Sequence, residues 1–108
     1  MQITNLATVS VDTTAGGTII LTLAQAQSAT AAGMNALVIN PSVEIALVDS
    51  GGSSPASPVT GAVVGTYANS PFICPAGVST VVQHRSGLVR AISSAGTWTV
   101  KVGVGCAP

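Results

Sequence analysis

Charged side chains are scarce in this sequence. Only 6% of its 108 residues are Asp, Glu, Lys or Arg, whereas an average protein has about 25%. Three cations balance three anions, so the formal net charge is zero. This excludes electrostatic binding to nucleic acid or to an anionic membrane surface, because both need clustered Lys and Arg. Since a net charge near zero promotes association, we expect much of the surface to be buried in a larger assembly. The alternative is a solvated surface rich in Ser and Thr.

Long apolar runs are also absent. The mean hydropathy is +0.63, but the best apolar stretches, Thr18–Ala24 and Asn35–Ile39, are much shorter than the roughly 20 residues of a membrane-spanning helix. We therefore expect no membrane insertion. The tripeptide Ala24–Ala26 imitates a signal-peptide cleavage site, but Asp12 precedes the apolar run and no Lys or Arg does, so no signal peptide is expected.

Residues suited to catalysis or metal binding are few. Nucleophilic catalysis needs a nucleophile, a base and an orienting group, and zinc sites need Cys and His at short spacings. The single histidine, His84, has no such spacing to Cys74 or Cys106, and no two acidic residues are paired as glycoside hydrolysis would require. The sequence therefore predicts no enzyme activity, no cofactor and no metal site, with His84 as the polar end of a strand.

The chain has only two cysteines, Cys74 and Cys106. One interpretation is a disulfide that ties the end of the chain to the loop Pro71–Gly77. The other is two separate thiols, buried or semi-buried, which we expect if the protein is assembled in a reducing cytosol.

Aromatic residues are equally rare, with one each of Phe72, Tyr67 and Trp98. Stacking on nucleic-acid bases or on sugars needs more aromatic surface than this. Trp98 lies on the apolar face of the last predicted strand, so it is predicted to anchor the core, with an interface anchor as the alternative.

The dominant period of the apolar residues is two, which is typical of half-buried strands. Val, Thr and Ile are abundant, and Gly and Pro separate short segments at near-regular spacing. This pattern predicts a single all-β domain over residues 1–108. We expect an antiparallel β-sandwich, jelly-roll or immunoglobulin-like, of about eight to nine short strands. The predicted strands are Gln2–Asp12, Thr18–Leu23, Ala36–Asn40, Val43–Asp49, Gly61–Tyr67, Phe72–Ile73, Val78–His84, Leu88–Ser93 and Thr97–Val104.

The connections between the strands carry distinct signals. Arg85–Gly87 and Ser94–Gly96 are predicted to be tight hairpin turns, with positive φ at the glycines. Gln25–Gly33 is rich in Ala but has no clear apolar stripe, so a short helix and an irregular connection are both open. Residues 50–59 form a Gly-, Ser- and Pro-rich loop, which is either a contact with a neighbouring subunit or a mobile excursion.

Several segments of the chain resemble small virion proteins of tailed bacteriophages. The strand pair Ala36–Pro41 and Val43–Leu47, the turn Pro71–Gly77 and the closing hairpin Arg90–Val100 carry this resemblance. It covers about residues 36–104 and does not extend to the N-terminal third. These are β-hairpin patterns without catalytic residues.

The resemblance implies a small β-sandwich at the surface of a phage capsid. Such decoration or cement proteins bind the lattice of the major capsid protein and stabilise the head by non-covalent bridging, commonly as trimers or other symmetric oligomers. It further implies assembly in the host cytoplasm. Other roles in the virion remain open, namely a neck, tail or fibre component or a receptor- or carbohydrate-binding module.

Two segments are predicted to make the contacts with neighbours. The N-terminal arm, residues 1–12, either adds a strand to a neighbour's sheet or pairs within its own sheet. The loop of residues 50–59 is the second segment. The candidate interface residues are Gln2, Ile3, Leu6, Val9, Val11, Ser53, Pro55, Pro58 and Val59.

Overall fold

Eight strands and one helix make up the described part of the chain. A computed structural model describes residues 3–52, 67 and 72–106, with the backbone alone for residues 49–52. The elements in chain order are β1 (Ile3–Val11), β2 (Thr18–Leu21), α1 (Leu23–Ala31), β3 (Ala36–Pro41), β4 (Ile45–Gly52), β5 (Phe72–Cys74), β6 (Thr80–Gln83), β7 (Leu88–Ser93) and β8 (Trp98–Gly105).

The strands form two four-stranded sheets with the orders β1-β8-β3-β6 and β2-β7-β4-β5, here called the first and second sheets. Every strand pair is antiparallel. This confirms the predicted all-β antiparallel sandwich. Between the two topologies named above, the strand order is that of an eight-stranded jelly roll rather than an immunoglobulin domain. Of the predicted strand Gly61–Tyr67, only Tyr67 is described, and it lies in a turn.

The core lies between the two sheets, and the period of two explains its composition. In β8, Val100, Val102 and Val104 are buried while Lys101 is exposed. These valines pair with inward-facing residues of β3, such as Ile39 opposite Val102. The alternation that predicted the last strand is therefore confirmed by its burial.

The central strand β7 departs from this alternation, because all six of its residues are buried. Val89 and Ala91 belong to the core cluster between the sheets. Since side chains alternate along a strand, Leu88, Arg90 and Ile92 face the outer side of the second sheet, yet Arg90 is only 3% exposed. The middle of the second sheet is therefore covered on both faces.

Residues 23–31 form a helix, which decides between the two interpretations of the Ala-rich segment. Thr22 caps its start: the Gln25 backbone N–H donates to Thr22 Oγ1 at 3.1 Å, and the Thr22 N–H donates to Gln25 Oε1 at 2.9 Å. This reciprocal capping box satisfies two donors that a helix start otherwise leaves unpaired. Ala26 and Ala29 are the buried residues of α1.

One hairpin turn differs from the prediction. Gly96 has the expected positive φ, of 73°, but in the turn between β6 and β7 it is Arg85 and Ser86 that have positive φ, at 54° and 59°. The Gly87 N–H donates to the His84 carbonyl at 3.0 Å, which makes Arg85 and Ser86 the two central residues. Positive φ at both central positions is the conformation of a type I′ turn, whose twist matches that of the flanking strands, so the prediction of positive φ at Gly87 was wrong.

Trp98 was predicted to anchor the core, and this was wrong: its side chain is 43% exposed. It is the first residue of β8, two positions before Val100, the first buried valine of that strand. Its Nε1 donates to the Ala95 carbonyl at 2.6 Å. The ring lies against Gly96, where a Cβ would come within 3.1 Å of Nε1. Trp98 therefore stabilises its own hairpin turn.

Candidate interaction surface

The N-terminal strand β1 forms one edge of the first sheet. It pairs with β8 from Ile3 opposite Gly105 to Val11 opposite Trp98. No strand in the described part of the chain pairs with its other side. The arm thus pairs within its own sheet, which is one of the two predicted alternatives.

The predicted contact residues of β1 differ in exposure. Ile3 is 46% exposed, whereas Leu6 and Val9 are half-buried and pack against the core. Val11 is fully buried in the core of its own domain, so its inclusion among the contact residues is corrected. The other predicted contact residues lie outside the described residues; they are Gln2, Ser53, Pro55, Pro58 and Val59.

Among the described strands, none of the four at a sheet edge carries a charged residue. β1 and β6 bound the first sheet, and β2 and β5 bound the second. The charged residues within strands are Asp49, Arg90 and Lys101, all on central strands. Proteins commonly protect exposed sheet edges with Lys or Pro, which oppose pairing with another chain. The four edge strands contain neither Lys nor Pro, so these residues do not oppose the pairing of another chain with them.

A cavity of about 430 Å³ opens between β1 and α1. Its apolar lining includes Leu6 from β1, Val104 from β8 and Met34 from the segment after the helix, while Gln25 and Ser28 supply polar groups from α1. Thr4 completes the β1 side, and its Oγ1 donates to Met34 Sδ at 3.8 Å. Since most of the lining is aliphatic, the cavity suits an aliphatic side chain rather than a charged group.

The outer face of the first sheet carries exposed apolar side chains. Val38 pairs with Gly103 on one side and with Val81 on the other, and Val81 is 48% exposed. A Cβ on Gly103 would lie 2.9 Å from both Ile3 Cγ2 and the Thr4 carbonyl, so only glycine lets β1 approach this closely. Ile3 and Val81 are the exposed apolar residues of this outer face.

His84 is fully buried and bonded through both ring nitrogens. Nε2 lies 2.8 Å from the Met34 carbonyl, and Nδ1 lies 3.1 Å from the Ser86 N–H. A carbonyl only accepts and a backbone N–H only donates, so the ring is neutral with its proton on Nε2. The turn after β6 is further joined to α1 by the Ser86 and Thr30 hydroxyls, 2.7 Å apart. With both nitrogens engaged, His84 joins the segment after α1 to the turn between β6 and β7.

The two cysteines are separate free thiols, which decides between the two interpretations given above. Cys74 is buried in the core, and burial raises the pKa of its thiol, because a low-dielectric surrounding disfavours the thiolate. Cys106 is exposed rather than semi-buried. Within the described ranges no three His, Cys, Asp or Glu residues come close enough to hold a metal ion.

Comparisons of the chain with protein-family models, with curated proteins and with solved structures found no match. None of the helical segments that the structure describes has the length and apolarity to cross a membrane.

Proposed function

We propose that this chain is a structural protein of a bacteriophage virion, a decoration or cement protein on the capsid. In this role it binds the lattice of the major capsid protein and stabilises the head by non-covalent bridging. The observation that carries the proposal is the combination of uncharged sheet edges with large exposed apolar side chains. These side chains are Ile3, Phe72, Ile73, Val78, Val81 and Trp98, and the capsid contact is assigned to only two of them, Ile3 and Val81.

A surface of this kind suits burial against other proteins. Burial of apolar area is favourable by about 25 cal/mol per Å², whereas few charges would have to leave water at the contact, since the chain has only six charged residues. Each contact then contributes a modest binding free energy. Because many copies of the chain each bridge several capsid subunits, the avidity of the whole layer is higher than that of one contact. The jelly-roll topology is also common among viral capsid proteins.

We assign the capsid contact to the outer face of the first sheet. Ile3 and Val81 lie on this face, and Lys101 and Asn40 border the depression beside Gly103. Such an apolar centre with a polar rim is the usual composition of a protein–protein contact. The proposal includes no chemical reaction, because both nitrogens of His84 are engaged and Cys74 is buried.

Rebinding to virus particles tests the assignment. Particles of the source phage that lack the protein are mixed with wild-type chain, with Val81→Lys or with Val78→Lys, and the bound fraction is measured after sedimentation. Val78 is a matched control, since it is 51% exposed but lies in the turn before β6. We expect Val81→Lys alone to weaken binding, by about tenfold or more. Equal binding of both variants contradicts the assigned face, and no binding of wild-type chain contradicts the proposed function.

A further inference from the structure

We propose that two copies of this chain associate through the edge of β1 that no described strand pairs with, so that it pairs antiparallel with β1 of a second copy about a two-fold axis. The two first sheets then form one continuous eight-stranded sheet. This inference rests on the assembly role proposed above and names the partner that the β1 edge takes, a second copy of this chain.

The length and exposure of β1 distinguish it from the other edges. It has nine residues, six of them exposed, whereas β2 and β6 have four and β5 has three. Each residue added to an antiparallel ladder contributes to backbone hydrogen bonding, so β1 offers the most extensive edge. A long, exposed and uncharged edge strand is a template for pairing with another chain.

The absence of charge favours a second copy as the occupant. A two-fold axis brings residues of β1 close to the same residues of the other copy. A charged side chain near the axis would therefore lie opposite a side chain of the same charge in the other copy. β1 contains only Ile, Thr, Asn, Leu, Ala, Val and Ser. The formal net charge of zero also means that two copies meet no overall repulsion.

The pairing of β1 with β1 of the second copy has a register that accommodates the β-bulge in each strand. The pairing with β8 shifts between Asn5 and Ala7, so Leu6 is the extra residue. Thr4 and Ala7 pair with Val104 and Val102 of β8, and both therefore face the inner side of the sheet. We place the two-fold axis at Ala7, so that Ala7 lies opposite Ala7 of the second copy, and we leave Leu6 unpaired as the bulge residue. In this register each inward-facing residue of one β1 lies opposite an inward-facing residue of the other β1. The bulge of each copy then lies opposite a regular step of the other.

This register brings an aliphatic side chain to the cavity between β1 and α1. Val9 pairs with Val100 and therefore faces inward. Across the axis it lies opposite Thr4 of the other copy, which lines the cavity together with Leu6 and Met34. Val9 of the second copy packs partly against its own core and thus lies beside the Thr4 rim of the cavity, and the two-fold axis repeats the contact.

The mass of the full-length chain in solution, measured by sedimentation equilibrium, tests the pairing. Wild-type chain is expected to be a dimer. Ala7→Lys places two ammonium groups at the axis and is expected to raise the dimer dissociation constant about tenfold or more. Thr99→Lys is the matched control, because Thr99 is an exposed residue of the adjacent strand β8, away from the edge, and it should leave the dimer intact.

Two further samples separate pairing from misfolding. An equimolar mixture of Ala7→Lys and Ala7→Glu should recover the dimer, since opposite charges then meet at the axis. Ala24→Trp, which fills the cavity from α1, should weaken the dimer, whereas Ala31→Trp, on the same helix but outside the cavity, should not. A monomeric wild-type chain overturns the inference, as does a dimer that Ala7→Lys leaves unchanged. Neither result affects capsid binding, which is measured separately on particles.

Discussion

His84 donates its Nε2 proton to the carbonyl of Met34 at 2.8 Å, across fifty positions of sequence. The same ring accepts the Ser86 N–H, so one buried side chain joins the segment after α1 to the β6–β7 turn. We expect His84→Ala to lower the free energy of unfolding by about 2–4 kcal/mol, because it leaves buried polar groups unpaired and opens a cavity. Urea denaturation measures this loss. Gln83→Ala, at an exposed neighbour, should change stability by no more than about 0.5 kcal/mol. Equal small effects of both substitutions would contradict the role of His84.

The left-handed backbone at Arg85 predicts a stabilising substitution. Arg85 has a φ of 54°, which residues with a bulky side chain rarely adopt and which Asn tolerates better. Arg85→Asn should therefore raise the free energy of unfolding by about 0.5–1 kcal/mol. The same substitution at Gln83, in extended backbone, should not stabilise the protein. A lower melting temperature for Arg85→Asn would show that Arg85 makes a contact worth more than the backbone strain.

The contact between Trp98 and Gly96 can be separated from backbone strain. Gly96 and Gly33 have similar positive φ values, 73° and 77°, but an added Cβ meets Trp98 only at Gly96, and at Gly33 it meets nothing within 4 Å. We expect Gly33→Ala to cost about 1 kcal/mol and Gly96→Ala to cost more. Only Gly96→Ala should change the fluorescence of the single tryptophan. Identical costs with unchanged fluorescence would contradict the packing of the ring on this turn.

The two thiols should react very differently with a maleimide. Cys106 is exposed and should be labelled within minutes, whereas Cys74 should be labelled only after unfolding. Burial raises the pKa of the Cys74 thiol, so the reactive thiolate is further disfavoured in the folded state. As the pH rises, the Cys74 thiol ionises at a lower pH in the unfolded chain than in the folded chain. The burial of Cys74 therefore contributes less to the free energy of unfolding above about pH 9. Mass spectrometry of wild-type chain and Cys106→Ser counts the labels. Labelling of native Cys106→Ser at the wild-type rate would contradict the burial of Cys74.

The period of two in strands such as β8 predicted the all-β sandwich, because alternate burial leaves a direct trace in the order of residues. The capping box of Thr22 and Gln25 was also readable from the sequence and would have identified α1. Other features depend on contacts between distant segments. His84 Nε2 bonds to the carbonyl of Met34, fifty positions away, and the cavity is lined by residues of both α1 and β1. The contact of Trp98 with the preceding Ala95–Gly96 turn is also a feature that alternation along a strand does not specify.

We propose above that this protein is part of a phage capsid surface. Quantitative mass spectrometry of purified particles from the source tests it most directly, by counting copies of this chain relative to the major capsid protein. The proposal predicts hundreds of copies per particle, as a lattice of repeated binding sites requires. About 3 to 12 copies would match the low-order symmetry of a neck, tail or fibre and contradict the capsid assignment. Absence from the particle would contradict a virion role altogether.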